Sequence, residues 1–175
     1  MPLVPFVPGS VLQSTPLNNA LDYVRNVRFL FAGVTVNNTT TINNPSDLLV
    51  AVEANAWYSF DAFIRYDTGT TPDIKIQLTG PTGTAFTIAR WGALTSIGAG
   101  TTVNAIDQGV TLGTTTWVQA FGGAGAGTGI TARCTGSIAV STTAGNLQMG
   151  FAQNTLNASN TTLGQGTWFA LSRVL

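Results

Sequence analysis

The stretch Ala56 to Pro81, AWYSFDAFIRYDTGTTPDIKIQLTGP, decides the fold. Its first half alternates strictly: Tyr58, Phe60, Ala62, Ile64 and Tyr66 point to one side of an extended strand, and Trp57, Ser59, Asp61, Phe63 and Arg65 to the other. Both sides carry apolar bulk, so the strand is expected to lie between two layers, or between a sheet and a neighbouring subunit. DTGTTP at 67–72 supplies turn residues, after which Ile74, Ile76 and Leu78 alternate with Lys75 and Gln77. The whole reads as the central hairpin or corner of a β-protein.

Upstream, LLVAVEANA at 48–56 leads into this element, and FLFAGVTV at 29–36 precedes an Asn- and Thr-rich turn. Thr15 and Pro16 place a cap and a first-turn proline. Leu17, Ala20, Leu21, Val24 and Val27 or Arg28 then recur at helical spacing, predicting one short amphipathic helix that ends near residue 28. Prolines at 2, 5 and 8 make residues 1–13 an extended arm, and Leu3, Val4, Phe6, Val7, Val11 and Leu12 are more apolar than a disordered tail requires. These six residues are expected to dock on another protein. The opening has no basic region and too many prolines for a signal peptide, so the mature chain is expected to begin near Met1.

Downstream, TGTAFTIARWG at 82–92 alternates, GVTLGTTTWVQAFG at 109–122 reads as one further strand, and GGAGAGTG at 122–129 is a low-complexity loop. A strand with Ile130, Ala132 and Cys134 on one face follows, with a break or bulge expected near Gly136. AGNLQMGFAQ at 144–153 and TTLGQGTWFALSRVL at 161–175 complete roughly eight to ten strands, the spacing of an all-β sandwich or barrel.

Composition narrows the function by exclusion. The chain of 175 residues contains no histidine and the single Cys134, which rules out an internal disulfide and every His-based metal or nucleophile constellation. Only 8% of residues are charged, against roughly 25% in an ordinary domain. The cations Arg25, Arg28, Arg65, Lys75, Arg90, Arg133 and Arg173 are scattered and the formal net charge is zero, so no footprint for nucleic acid is visible. No apolar run reaches the ~18 residues of a membrane helix. So little charge also leaves the surface without the usual protection against self-association, which points to a protein covered by copies of itself or by a larger assembly.

The glycines of 122–129 do not match GxGxxG, no GK[ST] follows, and a strand comes next, so the loop is read as a connector and not a phosphate cradle. Asp67 and Asp73 flank a turn as solvated caps in preference to a calcium site, which needs more carboxylates. Asp22, Asp47, Glu53, Asp61, Asp67, Asp73 and Asp107 form no glycosidase motif, and Asp61 is expected to pair with Arg65 four residues on, or with a neighbouring subunit. Trp57, Trp91, Trp117 and Trp168 suit a core or a subunit interface before sugar-stacking platforms. No catalytic, cofactor or metal residue is assigned. Trp57, Phe63, Arg65, Trp117 and Trp168 are the candidates for a trimer interface.

FVPGSVLQSTPLNNALDYV at 6–24 is similar to the arm, of the sense G-x-V-L-x-x-x-x-L-N-x-A-L-D, that begins many tailed-bacteriophage virion proteins. YSFDA at 58–62, DIKIQLTGPTG at 73–83, GNLQMGFAQN at 145–154 and GTWFALSRV at 166–174 resemble the jelly-roll domains of phage capsid decoration, head-fibre and tail-fibre proteins. The resemblance implies an all-β jelly-roll β-sandwich of the tumour-necrosis-factor-like kind, homotrimeric, with no catalytic residues to carry over. The implied organisation is an anchoring arm and helix over 1–28 and a jelly-roll domain over 29–175. The implied role is a capsid-surface decoration protein of the virion, with itself and the major capsid protein as partners and without nucleic acid, membrane or cofactor. The alternative is a tail-fibre or receptor-binding module recognising host surface glycans through loops such as 92–109 or 122–129.

Overall fold

In a computed structural model the structure describes residues 26–92 and 107–174. The anchoring arm and the body of the expected helix lie outside the described residues, as does most of the 92–109 loop. Nearly all the regular structure of the described chain is strand: β1 (Asn26–Phe29), β2 (Val34–Val36), β3 (Leu49–Val52), β4 (Trp57–Thr68), β5 (Ile74–Thr79), β6 (Ala85–Gly92), β7 (Asp107–Thr114), β8 (Thr116–Phe121), β9 (Gly129–Ala139), β10 (Gly145–Gln153), β11 (Thr161–Leu163) and β12 (Trp168–Arg173), with one 3-10 turn at Ser46–Leu48.

The strands pair in the order β1-β12-β4-β9-β6-β7 and β8-β5-β10-β3, and only the Thr114↔Thr116 pair at the β7–β8 turn links the two runs. The pairings nest. β1 lies against β12, β3 against β10, β4 against β9 and β5 against β8, all antiparallel, as in a chain folded back on itself and then rolled. Successive strands cross between the two runs, with β6 and β7 forming the hairpin at the tip of the fold-back. This is the double Greek key of a jelly-roll sandwich, widened on one side by that hairpin. β2 and β11 continue β1 and β12 beyond a short interruption, and β11 holds the far end of β4.

The residues that alternate in sequence alternate in burial. Tyr58, Phe60, Ala62, Ile64 and Tyr66 of β4 are all buried, and so are Ile74, Ile76 and Leu78 of β5. With Phe86, Ile88, Trp117, Phe121, Ile138, Leu147, Met149, Phe151, Phe169 and Leu171 they fill the space between the layers. Each large side chain so buried is worth about 1.5–3 kcal/mol. β4 and β5 do not pair with each other; they sit in opposite layers, so DTGTTP is a corner and not a hairpin turn.

Three expectations are corrected. Val27 and Arg28, placed at the end of a helix, belong to β1 and pair with Ala170 and Phe169, where the ladder to β12 takes up their backbone groups. The run 109–122 is two strands and not one: Thr115 turns the chain with φ 64° between β7 and β8. β9 passes through Gly136 without a bulge, in unbroken register with Phe60 on one side and Ile88 on the other. Glycine is required there by proximity, since a Cβ would lie 2.0 Å from the Thr87 carbonyl oxygen.

That contact sets the first prediction. Gly136→Ala must push β6 away from β9 and is expected to lower stability by about 1–3 kcal/mol. Gly129→Ala, at the start of the same strand with nothing within 4 Å, is expected to change it by less than about 0.5 kcal/mol. Chemical denaturation of both variants checks the difference.

Candidate functional site

Five carboxylates, Asp47, Glu53, Asp61, Asp67 and Asp73, are engaged in holding the fold. Glu53 pairs with Arg173 at 2.6 Å, and Asp47 accepts from the Phe31 amide at 3.4 Å. Asp61 pairs with Arg133 on β9, at 3.2 and 3.3 Å through Nε and Nη2, so the expected Asp61–Arg65 pair does not form. The cross-strand diagonal brings Arg133 closer than a residue four further along the same extended strand can come. Arg65 instead reaches the Gln165 carbonyl at 3.5 Å.

Of the two expected solvated caps, Asp73 is buried and Asp67 half-buried. The Gly127 amide donates to Asp67 Oδ1 and the Gly123 amide to Asp73 Oδ1, each at 3.0 Å, so the two carboxylates tether the glycine-rich loop to the β4–β5 corner. Tyr66 donates its hydroxyl to the Gly122 carbonyl at 2.9 Å, and the Gly125 amide donates to the Thr68 carbonyl at 3.3 Å. Amides that a phosphate would need are thereby taken, two of them by negative groups, so the arrangement repels an anion. Gly123 sits where a Cβ would be 2.1 Å from the Gly69 carbonyl oxygen, so the loop packs tightly on the corner. Burial, followed by the nearby Asp73 charge, holds the Tyr66 phenol well above its ordinary range. Cys134 is 1% exposed, and burial pushes its thiol up to about 12 against the opposing pull of Arg90. That leaves it a small core side chain with no nucleophilic character at neutral pH. Among the described residues no three His, Cys, Asp or Glu side chains come together as a metal site. No described helix is long and apolar enough to cross a membrane.

What the fold does assemble is a face. On the outer side of the β1-β12-β4-β9-β6 sheet, register places Phe29, Trp168, Phe63, Arg133 and Trp91 in one transverse row. The adjoining row is Val27, Ala170, Asp61, Thr135 and Ala89, and the next is Ser172, Ser59, Ser137 and Thr87. Phe29 is 38% exposed, and Phe63, Trp91 and Trp168 are half-buried. The opposite layer turns out a different surface. Its outward positions are Asn146 and Gln148 on β10, Lys75, Gln77 and Thr79 on β5, and Thr116, Val118 and Ala120 on β8. Part of it is covered by the chain's own 40–48 segment: Gln148 donates to the Pro45 and Leu48 carbonyls, and Lys75 to that of Thr40.

Of the five residues proposed from sequence for a subunit interface, Phe63 and Trp168 stand directly opposite each other on the outer face. Arg65 lies one step further along β4. Trp57 is on the same side but three steps away, about 20 Å at ~3.3 Å per residue, beside the exposed Val174. Trp117 is corrected: it is 1% exposed and its indole fills the core, because β8 turns Trp117 and Phe121 inward together. Sequence reasoning left out Phe29 and Arg133, whose place in the row follows only from the partners of β1 and β9. A shallow depression of ≈ 370 Å³ opens beside the tethered loop, lined in part by Arg65, Asp67, Thr162 and Gln165.

No protein-family model matches the chain. No curated protein matches it. Among solved structures it is similar to the infectious bursal disease virus VP2 subviral particle, at 8% identity over 86% of this chain and 41% of that one, TM-score 0.22. It is also similar to the structure of the infectious bursal disease virus Gt strain, at 10% identity over 99% of this chain and 45% of that one, TM-score 0.20. The chain thus spans less than half the length of both, and likeness at this level carries no argument about what it does.

The corner yields a pH prediction. Asp73 is 7% exposed and sits at φ 49°; burial raises its carboxyl above the ordinary range while the Gly123 amide opposes the shift. A carboxyl raised in the folded state contributes stability below its unfolded value, about 4, and loses it as pH rises through the folded value. Asp73 therefore costs stability when ionised at pH 7. Asn keeps the Oδ1 acceptor and tolerates a left-handed backbone. Asp73→Asn is expected to melt higher than wild type at pH 7, with the gap closing as pH falls toward 4. Paired melting curves across that range check the sign.

Proposed function

We propose that this chain is a non-enzymatic structural protein of a virus particle: a homotrimeric jelly-roll module that decorates the capsid surface and is anchored by its N-terminal arm. The observation that carries the reading is the contrast between the two layers. One turns a row of aromatic residues outward, while the other turns out no described aromatic residue and is partly covered by its own chain. The described carboxylates serve as struts, which fits a structural role. The nested jelly roll and the resemblance of residues 6–24 to phage virion arms supply the virion setting. A second reading, a tail-fibre or receptor-binding module for host glycans, is favoured by the depression beside the 122–129 loop, where Arg65, Asp67, Thr162 and Gln165 offer hydrogen-bonding groups. Electron microscopy of particles separates the two by placing the protein on the head or on the tail.

The arm provides the direct test. An extended, proline-spaced segment cannot bury its own apolar side chains, and docking four of Leu3, Val4, Phe6, Val7, Val11 and Leu12 is worth on the order of 6–10 kcal/mol before ordering costs. Three arms acting together then hold a trimer on a particle. Deletion of residues 1–13 is expected to leave a trimeric β-domain with unchanged thermal unfolding and to abolish incorporation into virions. Full occupancy of particles by the truncated protein would show that the sandwich makes the contact.

A further inference from the structure

We propose that the outer face of the β1-β12-β4-β9-β6-β7 sheet is the contact between copies of this chain, centred on Phe63, Trp168 and Arg133. The proposal rests on the homotrimer of the preceding reading and names the surface that holds it. The occupant is a second copy for three reasons. The first is area. Six strands about 4.8 Å apart and averaging about eight residues make a face of roughly 29 by 27 Å, close to the ~800 Å² that a protein gives to a standard interface, here divided between the two neighbours in a ring.

The second reason is chemistry. Phe29, Trp168, Phe63 and Trp91 are the residue types enriched at interface centres, and arginine, here Arg133, accompanies them. The third is charge. Asp61 and Arg133 pair within the face at 3.2 Å, and the further described charges on the same side of β4, Arg65 and Asp67, are opposite in sign, so no net described charge resists covering by an identical surface. The outer side of the other layer has no row of aromatic residues: Gln77, Gln148, Thr79 and Lys75 line it beside the exposed Val118 and Leu49, and residues 40–48 overlay it in part.

The geometry of a closed ring assigns roles within the face. Three copies about an axis meet through unlike surfaces, so the β1–β12 half of one face, with Phe29 and Trp168, meets the β9–β6 half of the next, with Arg133 and Trp91. β4 lies between the halves, nearest the axis, and Phe63 at its outward centre is brought towards its two counterparts. A carboxylate at that position would place three like charges together in a desolvated centre.

Sedimentation analysis of the full chain tests this. Wild type is expected to be a trimer at micromolar concentration. Phe63→Glu is expected to be a monomer there, its self-association weakened at least a hundredfold, with the same β circular dichroism. If Phe63→Glu fails to fold, Arg133→Glu replaces it, because that side chain is 61% exposed and the change sets it against Asp61 without touching the core. A trimer that survives in the folded variant overturns the proposed face while leaving the trimer reading intact. A monomeric wild type overturns both. A trimer lost on deletion of residues 1–13 but kept in Phe63→Glu assigns the contact to the arm and overturns the face.

Discussion

The pairing of β4 with β9, from Trp57↔Ala139 to Asp67↔Gly129, is the constraint on which the rest of the molecule depends. A shift of one residue in that register would turn Tyr58, Phe60, Ile64 and Tyr66 out of the core and put Asp61 and Arg65 into it. The register is held at its centre by Gly136, where only a hydrogen fits under the Thr87 carbonyl, and at its far end by the loop that Asp67 and Asp73 tether. Once it is set, β12 and β6 on the flanks inherit it, and the outward row of aromatic side chains follows without further specification.

Period-two patterning made the central part of the fold legible. Residues 57–66 and 74–78 announce their buried faces because each strand is apolar at every second position and is bounded by turn residues. Where the punctuation is missing the reading fails. The chain reverses at Thr115 inside GTTTW, a run of β-branched residues with no Asn, Asp or Pro, and the left-handed φ there falls on a residue that rarely adopts it. The end of the predicted helix fails for a related reason: Val27 and Arg28 fit a helical stripe and a strand edge equally well, and the partner that decides between them, β12, is some 140 residues away in sequence.

The candidate site was legible only in part, because it is a property of partners and not of segments. Phe63 and Trp168 could be nominated from their own strands, but that they face each other, with Phe29 on one side and Arg133 on the other, requires the sheet order. Trp117 shows the converse. An aromatic residue in an alternating strand has two possible faces, and nothing local to TWVQAF says which of Trp117 and Val118 looks inward. The ion pair was missed likewise, since Arg133 reaches Asp61 across the ladder while Arg65 on the same strand does not.

Scarcity of charge ties these features together. A protein with 8% charged residues has few with which to fix loops and guard surfaces, and the described carboxylates go to the first task. The glycine-rich loop, the corner and the strand ends are thereby secured, while the outer face of the six-stranded sheet carries few described charges, Asp61, Arg65, Asp67 and Arg133, among its aromatic and hydroxyl residues. Natural surfaces exposed to water use lysine and glutamate to discourage association. A face that omits them, on a sheet whose other side is already a complete core, gains from contact what the rest of the surface gains from hydration. The same low charge that would make an isolated domain prone to aggregate would, in the closed ring proposed above, be the condition that allows this face to be covered.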